Sequence, residues 1–129
     1  MDALARIGLL LFALLGLHTI DHAINQPSRD LPALGGVVGL LGFVIVAIAV
    51  VLALLGSDSA PAAAVLAGGA TVAGFLVVHL LPDWTPLSDP YWDFGANALS
   101  WVLIAAPFLT AIWLTVAGTR RLGAAPLPA

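Results

Sequence analysis

Three histidines and a handful of aspartates are the residues here whose types and spacing could do chemistry. The first pair sits in Leu17-His18-Thr19-Ile20-Asp21-His22. On a helix, His18 and His22 are four residues apart and share one face, with Asp21 three residues from His18. This H-x-x-D-H pattern offers two imidazoles, with Asp21 as a third metal ligand or as an acceptor that orients one of them. His79 lies in Val78-His79-Leu80-Leu81-Pro82-Asp83 and would complete a His₃ or His₃Asp set. Asp83 is four residues further on, but Pro82 disfavours helical geometry at Leu81, which makes Asp83 the weakest ligand. Imidazole as the main donor selects zinc or copper over magnesium. Axial ligation of a haem b by His18 and His79 is a further option. So are a proton-linked or pH-sensing role and a structural cluster of hydrogen bonds tying two helices together. The absence of cysteine removes thiolate sites and disulfides.

The elements that carry these residues are set by composition. Hydrophobic residues are 61% of the 129, charged residues only 9%, and the mean hydropathy is +1.09. Soluble domains carry about 25% charged residues, and a chain of this size has no interior large enough to hide so much apolar surface. Lipid is therefore the solvent, and helices are what can cross it with every backbone group satisfied. Four apolar stretches stand out, at about 4–24, 31–55, 61–81 and 96–118. Each is long enough for a hydrocarbon core of about 30 Å. The expected fold is all-α, a single integral membrane domain built as an up-down-up-down four-helix transmembrane bundle. The first stretch lacks a small-x-small cleavage site after its apolar run, so it is expected to stay as a span rather than act as a signal peptide.

The charges orient the bundle. Arg6, Arg120 and Arg121 flank the first and last spans, against Arg29 alone on the other side. The positive-inside rule then predicts a multi-pass cell-membrane protein with both termini cytoplasmic. The segments 25–30 and 82–95 would face outward, and all three histidines would sit near that outer face. At 1.5 Å per residue, His18 lies about 9 Å below Ile24, a depth at which ionisable groups are costly and mark functional sites.

The outer segment between the third and fourth spans contains Pro82, Pro86 and Pro90 and is expected to be stiff. Trp84, Tyr91 and Trp92 suit the aromatic belt at the headgroups, and the segment could fold over the histidines with Asp89 and Asp93 as polar neighbours. Ser88 or Asp89 before Pro90 resembles an N-cap with proline at N1, which would start the fourth helix near Pro90. Small residues supply close-approach faces: Gly35 and Gly39 in the second span, and Gly68, Gly69, Ala70, Ala73 and Gly74 in the third. Pro107 removes one backbone bond in the fourth span. The two halves, each an apolar helix ending H-x₃-H or H-x₃-D, also form a faint internal repeat.

The H-x₃-H ending the first span, with His79-Leu80-Leu81-Pro82-Asp83-Trp84 and Ser88-Asp89-Pro90-Tyr91, resembles short four-span bacterial membrane proteins that are uncharacterised. The resemblance implies the architecture and no activity. Of the function classes, a basic patch for nucleic acid is missing. A proton-coupled exporter would need an acid at mid-span, which is also missing. Desaturase-type chemistry uses more histidines than three. A metal-dependent hydrolase or oxidoreductase fits the H-x-x-D-H motif with His79 and Ser88, in a chain shorter than such enzymes usually have. A binding or accessory role, alone in the bilayer, as a homo-oligomer or in a larger membrane complex, needs only the outer cluster and an apolar surface.

Overall fold

The computed structural model describes residues 1–25, 33–93 and 95–124. They form four helices: α1 (Ala3–Asn25), α2 (Ala33–Leu54), α3 (Ala60–Phe75, prolonged by a π-helical turn, Leu76–Leu80) and α4 (Ala98–Ala124). All four are long and apolar enough to cross a membrane. Pro32 and the segment 26–32, which the sequence places at the start of the second span and in the loop before it, lie outside the described residues. The helices form a ring in which each packs on its neighbours, and α1 and α3 also meet across the middle.

A seven-residue repeat in three helices explains which faces turn inward. Gly8, Leu11, Leu15 and His18 are buried on α1; Ala64, Ala67, Gly68, Thr71, Phe75 and then His79 on α3 and its extension; Ser100, Ile104, Pro107, Ala111, Leu114 and Gly118 on α4. Steps of three and four keep each set on one helical stripe. The opposite faces expose Leu17, Ile20, Leu66, Leu99, Val102 and Leu109, a surface suited to acyl chains. Thr71, Thr110 and Thr115 donate their hydroxyl protons to carbonyls four residues back, so they need no partner from outside their own helix.

Glycine decides how closely two of these helices approach. A Cβ at Gly68 would run into Ala111 and Thr115 of α4, and one at Gly118 would lie 2.7 Å from the Pro61 carbonyl oxygen and 2.9 Å from Val65. The tight seam is thus α3 against α4. On α2 the outcome differs from the sequence expectation: at Gly36, Gly39 and Gly42 an added Cβ would meet nothing within 4 Å. Among the described residues the buried positions of α2 lie toward its other end, at Val46, Ala49, Val50 and Ala53; the surroundings of Gly35 lie outside the described residues. A G-x-x-x-G spacing reports that a close approach is sterically allowed, not that a neighbouring helix takes it.

The fourth helix begins at Ala98, close to the start at about 96 that hydropathy gives, and not near Pro90. Residues 91–93 form a turn, closed by Asp93 N–H on the Pro90 carbonyl at 3.1 Å, and Gly95 takes φ +67°, which ends any helix started before it. Asn97 is the actual cap, its Oδ1 accepting the Ser100 N–H at 3.0 Å. At its other end α4 runs to Ala124, past Arg120 and Arg121, because a helix need not stop where its apolar stretch does.

Candidate metal centre

The stripe on α1 that buries Leu11 and Leu15 continues into His18 and His22, so the same periodicity that builds the core turns both imidazoles inward. His79 reaches them from α3 through the π-helical turn, in which Leu81 N–H bonds five residues back to Leu76 at 2.8 Å. Such wide turns are frequent at functional sites. Leu81 then leaves the helix in an extended conformation (φ −97°, ψ 159°), as its position before Pro82 requires.

The three imidazoles form a compact triad. Ring centroids are 4.7 Å apart for His18 and His22, 5.1 Å for His18 and His79, and 5.2 Å for His22 and His79. One ring nitrogen from each lies within 4.8 Å of the others, close enough to hold a metal ion. A tetrahedral ion with bonds of about 2.0–2.1 Å needs nitrogens about 3.4 Å apart. From a separation of 4.8 Å a pair would have to close by about 1.4 Å to reach that geometry. His18 and His79 are only 7% and 8% exposed.

The segment after Pro82 folds down onto the triad and fixes part of its chemistry. Asp89 N–H donates to the Val78 carbonyl at 2.6 Å, and Tyr91 N–H to the His79 carbonyl at 3.2 Å; these are carbonyls that the end of the helix leaves without intrahelical partners. In return His79 Nδ1–H donates to the Asp89 carbonyl oxygen at 3.2 Å. That bond puts the proton on Nδ1 and leaves the Nε2 lone pair available. His22 Nδ1 lies 3.9 Å from the Asp89 carboxylate. A backbone carbonyl behind one imidazole and a carboxylate beside another are the outer partners that metal-bound histidines typically have. His18 Nδ1 is buried with no hydrogen-bond partner among the described residues, a state that calls for a ligand or a cost.

Aromatic rings close the site. Tyr91 is fully buried, with centroids 5.1 Å from His79, 5.7 Å from His22 and 6.1 Å from His18. Phe75 packs 5.0 Å from His18 and 5.5 Å from His79. Tyr91 looked in the sequence like a headgroup anchor, and its place against the histidines follows from the turn that Pro90 starts. Trp84 and Trp92 are exposed, as belt residues would be.

Of the two expected acidic ligands, Asp21 is buried but engages α4: its Oδ1 accepts from Ser100 Oγ at 3.1 Å and from Asn25 Nδ2 at 2.6 Å. Asp83 is exposed beyond the end of the helix. The convergent group among the described residues is the three histidines. Asp89 brings its carboxylate to 3.9 Å from one of them, His22, and Asp93 is exposed. Ser88 Oγ accepts the N–H groups of Trp84 and Thr85 at 3.2 and 3.0 Å, so it shapes the loop.

Fold and site together define a bundle of four helices long and apolar enough to cross a membrane, with a largely buried His₃ cluster at one end. No protein-family model matches the chain, and neither do the curated proteins or the solved structures.

Proposed function

We propose that this chain is a small multi-pass cell-membrane protein with a binding or accessory role, which holds one transition-metal ion through His18, His22 and His79. The observation that carries the proposal is the convergence of three imidazole nitrogens within 4.8 Å of one another. All three donors are nitrogens, which suits zinc or copper. Asp89 serves as the outer carboxylate. Asp21 acts indirectly, holding the end of α1 against α4, and Asp83 contributes least. By the arginine distribution the cluster faces the extracytoplasmic side, with both termini in the cytoplasm.

The alternatives fare differently. A haem between His18 and His79 would need the macrocycle to pass between two imidazoles that already touch edge to face, with His22 and Phe75 against both. The geometry favours a bare ion. A hydrolase or oxidoreductase would need an exchangeable position on that ion, which three protein ligands leave open.

Elemental analysis of the purified protein tests the proposal. About one zinc or copper per chain is expected, lost in His22→Ala and in His79→Ala. A metal-free wild type that also fails to take up added zinc or copper would overturn it.

A further inference from the structure

The triad forms the polar end of a much larger space. A cleft of about 580 Å³ runs between α1, α2 and α3, within the size range of small-molecule sites, roughly 300–1,000 Å³. Besides the three histidines its walls hold no ionisable residue; they are Leu15, Phe43, Ala67, Phe75 and similar groups, with Thr19 and Thr71. On the α2 side the wall includes Gly36, Gly39 and Gly42, positions where an added Cβ meets nothing within 4 Å, beside apolar residues such as Leu41, Phe43 and Ile45. From Gly36 to Ile45 the cleft follows α2 for about 13 Å at 1.5 Å per residue. At the histidine end, His18 is 7% exposed and its Nδ1 has no partner among the described residues.

These features fit one kind of occupant. The long wall accepts an unbranched apolar chain and rejects a polar body. The histidine end accepts a single compact head. Three imidazoles around a divalent ion leave the fourth tetrahedral position open and the centre positively charged, which selects an anionic oxygen donor. Resting on the metal-binding proposal, we infer that the cleft binds a single-chain amphiphile with a carboxylate head, the head ligating the ion and the alkyl chain lying along the glycine face of α2.

Dodecanoate is the probe, with acetate as the headgroup-only control. The protein, loaded with Co²⁺ in a maltoside detergent, is titrated with each, and the visible Co²⁺ absorption is read. The spectrum is expected to change at a dodecanoate concentration at least about tenfold below that needed for acetate. Gly39→Phe fills the cleft where there is room for it, and should abolish that advantage while leaving Co²⁺ stoichiometry and the acetate response unchanged. Gly36→Leu serves if Gly39→Phe does not fold. Equal responses to the two acids, or an advantage that survives both substitutions, overturn the inference. So does a change of oligomeric mass in either variant, which would mark the cleft as a seat for a helix of a second copy. If no Co²⁺ binds, the metal proposal fails by itself, and a nitroxide-labelled dodecanoate then reads the cleft directly. Immobilisation lost in Gly39→Phe upholds chain binding, and free tumbling in the wild type sinks it.

Discussion

Asp21 on α1 accepts a hydrogen bond from Ser100 on α4 at 3.1 Å, across 79 residues of sequence. The carboxylate is buried, and the same oxygen also accepts from Asn25 Nδ2 at 2.6 Å. The pair joins the first and last helices at the residue before His22 and about one turn from His18, so it governs how firmly the α1 end of the triad is placed.

Ser100→Ala should therefore lower stability. Hydrogen bonds to charged groups contribute about 1.5–3 kcal/mol in water, while interhelical bonds in membranes average about 0.6; we expect about 1–2 kcal/mol. Thermal unfolding in detergent, followed by circular dichroism, measures it. An unchanged midpoint would show that the bond contributes nothing.

The glycines divide into two classes with opposite expectations. Gly68→Ala and Gly118→Ala force backbone apart at the α3–α4 seam and should destabilise by about 1–3 kcal/mol. Gly39→Ala adds a methyl group to open space and gains helix propensity of up to about 1 kcal/mol. The same unfolding experiment distinguishes them, and a loss of stability at Gly39 equal to that at Gly68 would contradict the packing.

Why the sequence pointed to Gly35 and Gly39 for close packing is instructive. Spans, count of helices and the inward turn of His18 and His22 were all legible, because hydropathy and the three-four spacing follow directly from lipid and from helix geometry. The meeting of His79 with the other two was legible as a shared depth. What the chain did not reveal was which helix faces leave space between them, since that depends on three helices at once. Asp89 was legible as a polar neighbour of the histidines, but the burial of Tyr91 escaped for a related reason: it depends on the backbone bonds from Asp89 and Tyr91 to Val78 and His79. Ser88-Asp89-Pro90 was read as a helix start because those residue types also suit a cap; Gly95, with its positive φ, was the overlooked stop signal.

Tyr91→Ala removes the ring that packs on all three imidazoles. A loss of about 3–5 kcal/mol is typical of emptying an aromatic site in a core, and the metal content should fall with it. Trp92→Ala, one residue on and exposed, should change neither. Metal analysis and unfolding on the two variants provide the check; equal effects would mean that the loop acts as a whole and not through Tyr91.

Removing the ion should destabilise the wild type and leave His22→Ala indifferent. A ligand present at 100–1,000 times its dissociation constant adds about 2.7–4.1 kcal/mol to the folded state. Unfolding with and without a chelator reads this difference, and identical curves for the wild type would indicate that the histidines hold nothing.

At the opposite end, Arg121 forms a two-pronged ion pair with Asp2, with one bond at 2.7 Å. The arginine is about half exposed, so water screens the pair, and such bridges contribute about 0–1 kcal/mol. Arg121→Gln should shift the unfolding midpoint little; a large shift would indicate that the pair locks the termini together.

The strap from Asp89 to Tyr91 has a consequence for biogenesis. Two imidazoles come from the first helix, the third from the end of the third, and the ring that covers them from the segment leading to the fourth. During synthesis the early histidines enter the bilayer without their partner or their cover. The centre comes into being only once three helices have been threaded and the following segment has folded back. On the proposed metal binding, an ion supplied before then would find two donors instead of three, and loading would belong to the last stage of the protein's maturation.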